Sequence, residues 1–480
     1  ETYIFNFNQN NQVSLFVNGT IQVVELEARD LNGELINYIE GNQDFMMYVY
    51  FDNATGYSIE SITISDNTYT LNDNQLTLHE NNTLVKVQIQ SSQWYSWRTY
   101  FTYSISSFVY DNDRIEPTNK LTANVFTTIN LLIDDTLILI NTIDDLKAIQ
   151  AGYAYQLNAD LDLNTIQWQP IENFKGYFDG NNHTISNLKI VSTVEDAHTY
   201  MGLFKSLDGS IIKNLNITNV FISINLKSDL GNNYELYIGG LVGSIGQYNT
   251  FENIHIDGEM IARNATNGGT YLGGITAYTS SNNVFKKVSF TGLLTNNATN
   301  SNQRTGGLVG DLQNSRVIAS YSNVTIRGIQ YVGGLIGRSY SSFIQNVYTK
   351  VNMLEMSGDA FYFGGLIGEM NGGIVTNAFA IGKIEAVGDY YRGGLIGSSN
   401  NIKATNVYAY VKNDAEGFMP TFNGYANNVT TLNAYSVVID SKAEIQPLDV
   451  ILQRIEIVFD PTIWDFDNTL EGGHPTLKWT

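Results

Sequence analysis

Cysteine is absent from all 480 residues. That removes every disulfide framework, every thiolate metal site and every cysteine nucleophile, so stability has to come from packing. Proline is scarce at 6 residues, and charged side chains make up only 15%. The surface must be wetted largely by Asn, Ser, Thr and Tyr, and the 42 glycines favour short turns between many strands. Basic residues are few: 26 Lys and Arg against 47 Asp and Glu leave a formal charge of −21. Such a balance repels phosphate backbones and anionic headgroups, so neither nucleic acid nor bare membrane is the expected partner. Long apolar runs are missing too, because the longest, 128–143, is interrupted by Asp134 and Asp135 and falls short of the roughly 20 residues that span a bilayer. No basic or apolar leader stands at Glu1, so the expectation is an exported chain, mature or truncated, whose signal peptide precedes this numbering.

With 43% hydrophobic residues the chain can bury a large core, and its length calls for more than one structural unit. Residues 1–120 read as short alternating strands such as Val85-Lys86-Val87-Gln88-Ile89, interrupted by turn-rich segments at 8–12, 52–56, 72–75 and 80–82. That spacing predicts an immunoglobulin-like β-sandwich. The charged stretch 111–120, which holds Pro117, marks the expected boundary. Beyond it, Thr142-Ile143-Asp144-Asp145 is a capping signal that predicts a short helix within an N-terminal cap at 142–152.

Internal repetition dominates residues 121–480. Tyr237-Ile238-Gly239-Gly240-Leu241-Val242-Gly243 recurs as Tyr331-Val332-Gly333-Gly334-Leu335-Ile336-Gly337 and in five further forms. The glycine before the Leu or Ile stands at Gly202, Gly240, Gly274, Gly307, Gly334, Gly365 and Gly394. Constant motif with uneven spacing means fixed strands joined by variable loops. No unit has room for a helix, and glycine at a fixed place lets the backbone turn sharply and approach its neighbour closely. The prediction is an all-β chain: a right-handed parallel β-helix behind the sandwich, with a C-terminal cap at about 440–480. A second register supports stacking. Tyr321, Tyr348, Phe379, Tyr408 and Tyr435 share one repeat position, and two residues before the last four stand Asn346, Asn377, Asn406 and Asn433, with Asn214 and Asn253 in earlier coils. The asparagines predict an amide ladder. The rings are candidate binding residues, since stacked exposed aromatics suit sugar faces or a protein partner. Alternation in Val347-Tyr348-Thr349-Lys350 points Tyr348 outward, whereas Ala378-Phe379-Ala380 allows the ring to be core, and the sequence leaves both open.

On these residues the chain resembles the bacterial proteins that carry the GLUG motif, a Gly-Leu-aliphatic-Gly core, over roughly 143–480. The segment from Tyr155 to Ile185 is similar to that family's first coil, and Ile463 to Lys478 to its terminator. The resemblance implies a surface-exposed or secreted protein, often adhesive, and a repeat also found in the non-catalytic part of streptococcal immunoglobulin A1 metalloproteases. Those proteases keep a His-Glu-x-x-His zinc motif in another domain. The five histidines here, His79, His183, His198, His255 and His474, form no such pair, so no protease activity is implied.

Parallel β-helices also serve polysaccharide hydrolases and lyases, which need paired carboxylates or acidic calcium ligands. The acids of the repeats, Asp257, Asp311, Glu355, Asp359, Glu369, Glu385 and Asp389, occupy non-equivalent positions. Asp160 with Asp162 and Asp465 with Asp467 could bind calcium, although turn or end-cap roles explain both pairs more simply. The expectation is a non-enzymatic extracellular adhesin or interaction module with no catalytic residue and no cofactor beyond optional calcium. Its partner would be a glycan or a protein on another cell or matrix. The alternatives are a self-assembling filament or surface-layer subunit, in which copies of the chain are partners, and a polysaccharide-processing enzyme.

Overall fold

The computed structural model describes strand pairings within residues 5–133, almost without side chains, and residues 137–480 apart from 196, 228–232, 299–301, 355–360, 386–390, 414–416, 419–422 and 437–443. In the first part, Gln22–Arg29, Phe45–Asp52, Asn82–Ile89 and Leu76–His79 form a four-stranded antiparallel sheet in that order. A five-stranded sheet is built around the two longest strands, Thr99–Asn112 and Lys120–Ile133. An immunoglobulin-like packing of one sheet on another would rest on side chains that lie outside the described residues.

The expected boundary at 120 moves. Thr99–Asn112 and Lys120–Ile133 pair antiparallel from Thr99↔Ile133 to Asp111↔Lys120, so the segment with Pro117 joins two strands of one sheet. The solenoid's own parallel pairing begins later, between Leu137–Ile140 and Ala154–Leu157. Proline marks a place where ladder hydrogen bonding stops, and a hairpin connection and a linker give the same sequence signal. A short helix follows, α1 (Ile143–Lys147). The Asp145 amide donates to Thr142 Oγ1 at 3.2 Å and the Thr142 amide to Asp145 Oδ2 at 2.9 Å, which closes the capping box. Leu146 drops from this helix into the core.

From there to Ser436 the chain is a parallel β-solenoid. The Tyr-x-Gly segments, among them Leu236–Gly239, Thr270–Gly273 and Gln330–Gly333, make a seven-stranded parallel sheet. The chain turns at the second glycine, continues in a short strand such as Val242–Ile245, and returns through a long one such as Thr250–Asn264. Equivalent residues stack coil on coil, as in Tyr237↔Tyr271, Val242↔Thr276 and Phe251↔Phe285. The leucine or isoleucine after each Gly-Gly points inward: Leu241, Ile275, Leu308, Leu335, Leu366 and Leu395 are all fully buried in one continuous core.

The repeat glycines serve close approach. A Cβ on Gly334 would lie 2.1 Å from the Gly365 carbonyl of the next coil, and one on the preceding-position glycine, Gly364, 1.8 Å from the Ile367 carbonyl. None of the seven fixed glycines takes a positive φ. Left-handed backbone falls to asparagine instead: Asn214, Asn253, Asn346, Asn377, Asn406 and Asn433 have φ between 49° and 55°. Asparagine tolerates this conformation better than other residues with a Cβ. Its amides then form the ladder, Asn377 Nδ2 donating to Asn346 Oδ1 at 3.0 Å, Asn406 to Asn377 at 2.9 Å and Asn433 to Asn406 at 2.8 Å. Lys287 and Ala319 take the same conformation in the two coils where the ladder breaks.

After the solenoid come a second helix, α2 (Leu448–Val458), and an antiparallel hairpin of Trp464–Leu470 and His474–Leu477. Instead of stopping at the last coil, this C-terminal strap lies along the flank. Arg454 sits over Tyr435, Trp464 beside Tyr348 and Phe379, and Trp479 beside Tyr321 and His255.

Candidate functional site

The strap decides the fate of the predicted aromatic column. Its rings do stack: centroids are 5.0 Å apart for Tyr321–Tyr348, 5.2 Å for Tyr348–Phe379 and 4.7 Å for Phe379–Tyr408, all close to parallel. They also sit on the outer side of their strands, in a cluster separate from the solenoid core, as alternation placed Tyr348. They are not open to solvent. Phe379 and Tyr408 have no exposed surface, Tyr348 and Tyr435 are buried, and Tyr321 is half-buried. Ile451, Ile455, Phe459, Trp464 and Leu477 cover them. As an exposed ligand face the column is therefore corrected to an interior seam. Large apolar rings on successive coils leave a greasy flank, and burying it against the strap releases water from both sides. Burial raises the Tyr348 hydroxyl and raises the Tyr408 hydroxyl far above its usual range, while it pushes His474 down to about 4.

A second aromatic column, which the sequence reading did not single out, runs through the tyrosine that opens each repeat. Tyr200, Tyr237 and Tyr271 stack at 4.7 and 4.5 Å, and Tyr331, Tyr362 and Tyr391 at 4.8 and 5.4 Å. Arg304 fills the tyrosine place between the two runs, its guanidinium carbon 4.6 Å from the Tyr271 ring centre and 5.6 Å from that of Tyr331. The signal was legible, since Arg304-Thr305-Gly306-Gly307 is the one copy in which arginine replaces the aromatic. Next to this column, Asp311 is fully buried and accepts from Arg338 Nη2 at 2.6 Å while facing Arg304 Nε at 2.9 Å. Contrary to the expectation that the repeat acids occupy non-equivalent positions, Glu369 shares the register of Asp311 one coil beyond Arg338, its carboxyl raised by burial. Two tyrosines here, Tyr331 and Tyr362, have φ of 44° and 59°, a costly conformation for a bulky residue. Exposure is greatest at the C-terminal end of the column: Tyr200 is half-buried and Tyr237 and Tyr271 are buried, whereas Tyr391 is 39% exposed and its tilted neighbour Tyr425 46%.

A third feature is a groove where the long strands bend. Gly258, Gly292 and Gly382 occupy the bend with φ of 153°, 151° and 123°, stacked with Val324 and Val351, whose side chains turn into the core. The groove encloses about 420 Å³. Thr291, Asn323 and Lys350 line one side, Thr325, Asn352 and Lys383 the other.

The calcium candidates are hydrogen-bonded turn acids. Asp160 Oδ1 lies 3.1 Å from His183 Nδ1 and accepts the Thr184 amide, and Asp162 Oδ1 accepts from Asn187 Nδ2 at 2.7 Å. Asp465 Oδ1 accepts the amides of Asp467 and Asn468. Among the described residues no group of three or more His, Asp or Glu is placed to hold a metal ion. Of the repeat acids, Glu355, Asp359 and Asp389 lie outside the described residues.

No protein-family model matches the chain, and no curated protein matches it. Solved structures do. One is described as a candidate immunoglobulin A1 protease from Bacteroides ovatus, 17% identical over 72% of this chain and 92% of that one, with a TM-score of 0.31. A second, described as IgA1 Protease, is 16% identical over 86% of this chain and 28% of that one, with a TM-score of 0.35. The catalytic domain of a GH87 alpha-1,3-glucanase in complex with nigerose follows at 9% identity and a TM-score of 0.22. At such scores the function of none of them transfers to this chain.

Proposed function

We propose that this chain is a non-enzymatic extracellular surface protein, an interaction module whose right-handed β-helix presents a tyrosine and arginine column to a glycan or protein partner. The hand is the one that parallel crossovers take in nearly all cases. The observation that carries the reading is the column from Tyr200 to Tyr391 with Arg304 inside it, at its most accessible around Tyr391 and Tyr425. Tyrosine and arginine dominate binding hot spots because each offers a large rigid contact area with a polar end. The resemblance to GLUG-motif surface proteins supports an exported role. An enzymatic reading has less support. Asp311 is the most enclosed acid of the column and is held between two guanidinium groups, where no substrate reaches it.

The test is binding of the labelled intact chain to cells and to a glycan array. Tyr391→Ala with Tyr425→Ala should weaken binding at least tenfold while leaving the melting temperature nearly unchanged, since both rings are substantially exposed. Unchanged binding would remove the column from the reading. One observation favours self-assembly as a second reading. Among the described residues, the last coil strand Asn423–Ser436 pairs onward only through Glu444–Ile445, and Leu432 on it is 57% exposed. Filaments in electron micrographs of the purified chain would support that reading, and dispersed rods would end it.

A further inference from the structure

The groove at the bend lies on a different part of each coil from the tyrosine column. We propose that it binds an acidic polysaccharide, carboxylated or sulfated, laid along the solenoid axis. Its floor is backbone: a Cβ on Gly292 would lie 1.9 Å from the Gly258 carbonyl, and one on Gly382 1.9 Å from the Val351 carbonyl. The stacked backbones leave room for a ligand above them and none for a side chain within them.

The walls repeat coil by coil at about 4.8 Å, so the four coils that line the groove extend about 14 Å, enough for a few sugar rings. Asn323, Thr325 and Asn352 offer amides and hydroxyls, which can donate and accept together, as sugar hydroxyls require. Lining apolar side chains are confined to the two valines, both turned into the core, so a peptide would find no pocket for the apolar anchors on which peptide affinity depends.

Charge selects the acidic class. In a chain of net charge −21 the groove itself is lined by two lysines and no carboxylate, and the carboxylates Asp257 and Glu259 continue its walls only at the end away from the lysines, one coil before Thr291. Lys350 is exposed, and Lys412, exposed as well, follows Lys383 in register on the next coil. Lys383 Nζ lies 2.5 Å from Glu385 Oε1, so an entering carboxylate or sulfate would share or displace that contact. Local cations matter more than the net charge here, because exposed charges beyond about 8 Å are largely screened at physiological salt.

The test is affinity electrophoresis of the intact chain through gels containing polygalacturonate, chondroitin sulfate, neutral dextran or poly-L-glutamate. Retardation by at least one acidic polysaccharide is expected, weakened by added salt, with none by dextran. Lys350→Gln combined with Lys383→Gln should weaken that retardation at least tenfold, whereas Lys147→Gln, on α1, should leave it unchanged. Thr325→Trp, which fills the groove without changing charge, should weaken it as well, and circular dichroism would confirm that each variant is folded. No retardation by either acidic polysaccharide would overturn the proposal, as would full retardation of the double lysine variant. Equal retardation by poly-L-glutamate would assign the groove to acidic proteins instead. The tyrosine reading fails separately, because Tyr391→Ala should not alter these mobilities.

Discussion

The Tyr408 hydroxyl and His474 Nδ1 lie 3.0 Å apart, buried in the seam between the solenoid and its C-terminal strap. One residue belongs to the repeat and the other stands 66 positions later in the chain. Their contact ties the strap to the fourth of the five coils in the aromatic column.

This pair makes the strap sensitive to acid. Burial lowers His474 to about 4 in the folded chain, against about 6.5 when exposed. The unfolded chain then binds the proton more readily, so the stabilisation is complete above pH 6.5 and is lost as the pH falls toward 4. The loss amounts to about 3 kcal/mol at most. Urea unfolding at pH 7 and pH 4.5 should show a larger drop for the native chain than for His474→Asn. Parallel pH dependence in the two would show that His474 is not the titrating group.

The column itself is interior, so truncating it should cost stability. Tyr408→Ala removes a fully buried ring and should cost roughly 3–5 kcal/mol, with Tyr348→Ala in the same range. Thermal unfolding reads this directly, and limited proteolysis should release the strap first. Melting temperatures within a degree of the native chain would mean that the seam opens freely in solution.

Asp311 is the hub of the buried ion cluster. Asp311→Asn removes the carboxylate in direct contact with Arg304 and Arg338 and should destabilise by roughly 3–5 kcal/mol, because both guanidinium groups stay largely desolvated. Asp311→Asn combined with Arg338→Met should recover part of the loss. If the double variant is no better than the single one in urea, the two charges are not coupled as drawn.

The parallel solenoid was legible in the sequence because its cause is local. A strand that stacks on a copy of itself needs the same residue at the same place, so Gly240, Gly274, Gly307 and Gly334 reveal the coil spacing, and Leu241, Ile275, Leu308 and Leu335 the core that follows. The asparagine ladder was legible for the same reason, although its left-handed backbone was not, because φ leaves no mark beyond the residue type that tolerates it. Arg304 was visible as an exception to the repeat, but Asp311 stands across the Gly-Gly turn of the same coil and Arg338 on the next coil, and only the turn and the stacking together bring the three within reach of one another. Exposure of the ring column could not be read from local pattern. Alternation put Tyr348 on the outer side of its strand, where it lies, but left the side of Phe379 open. Whether water or another layer meets them depends on where Trp464 and His474 go more than 80 residues later, and that long-range packing exists only in the folded chain.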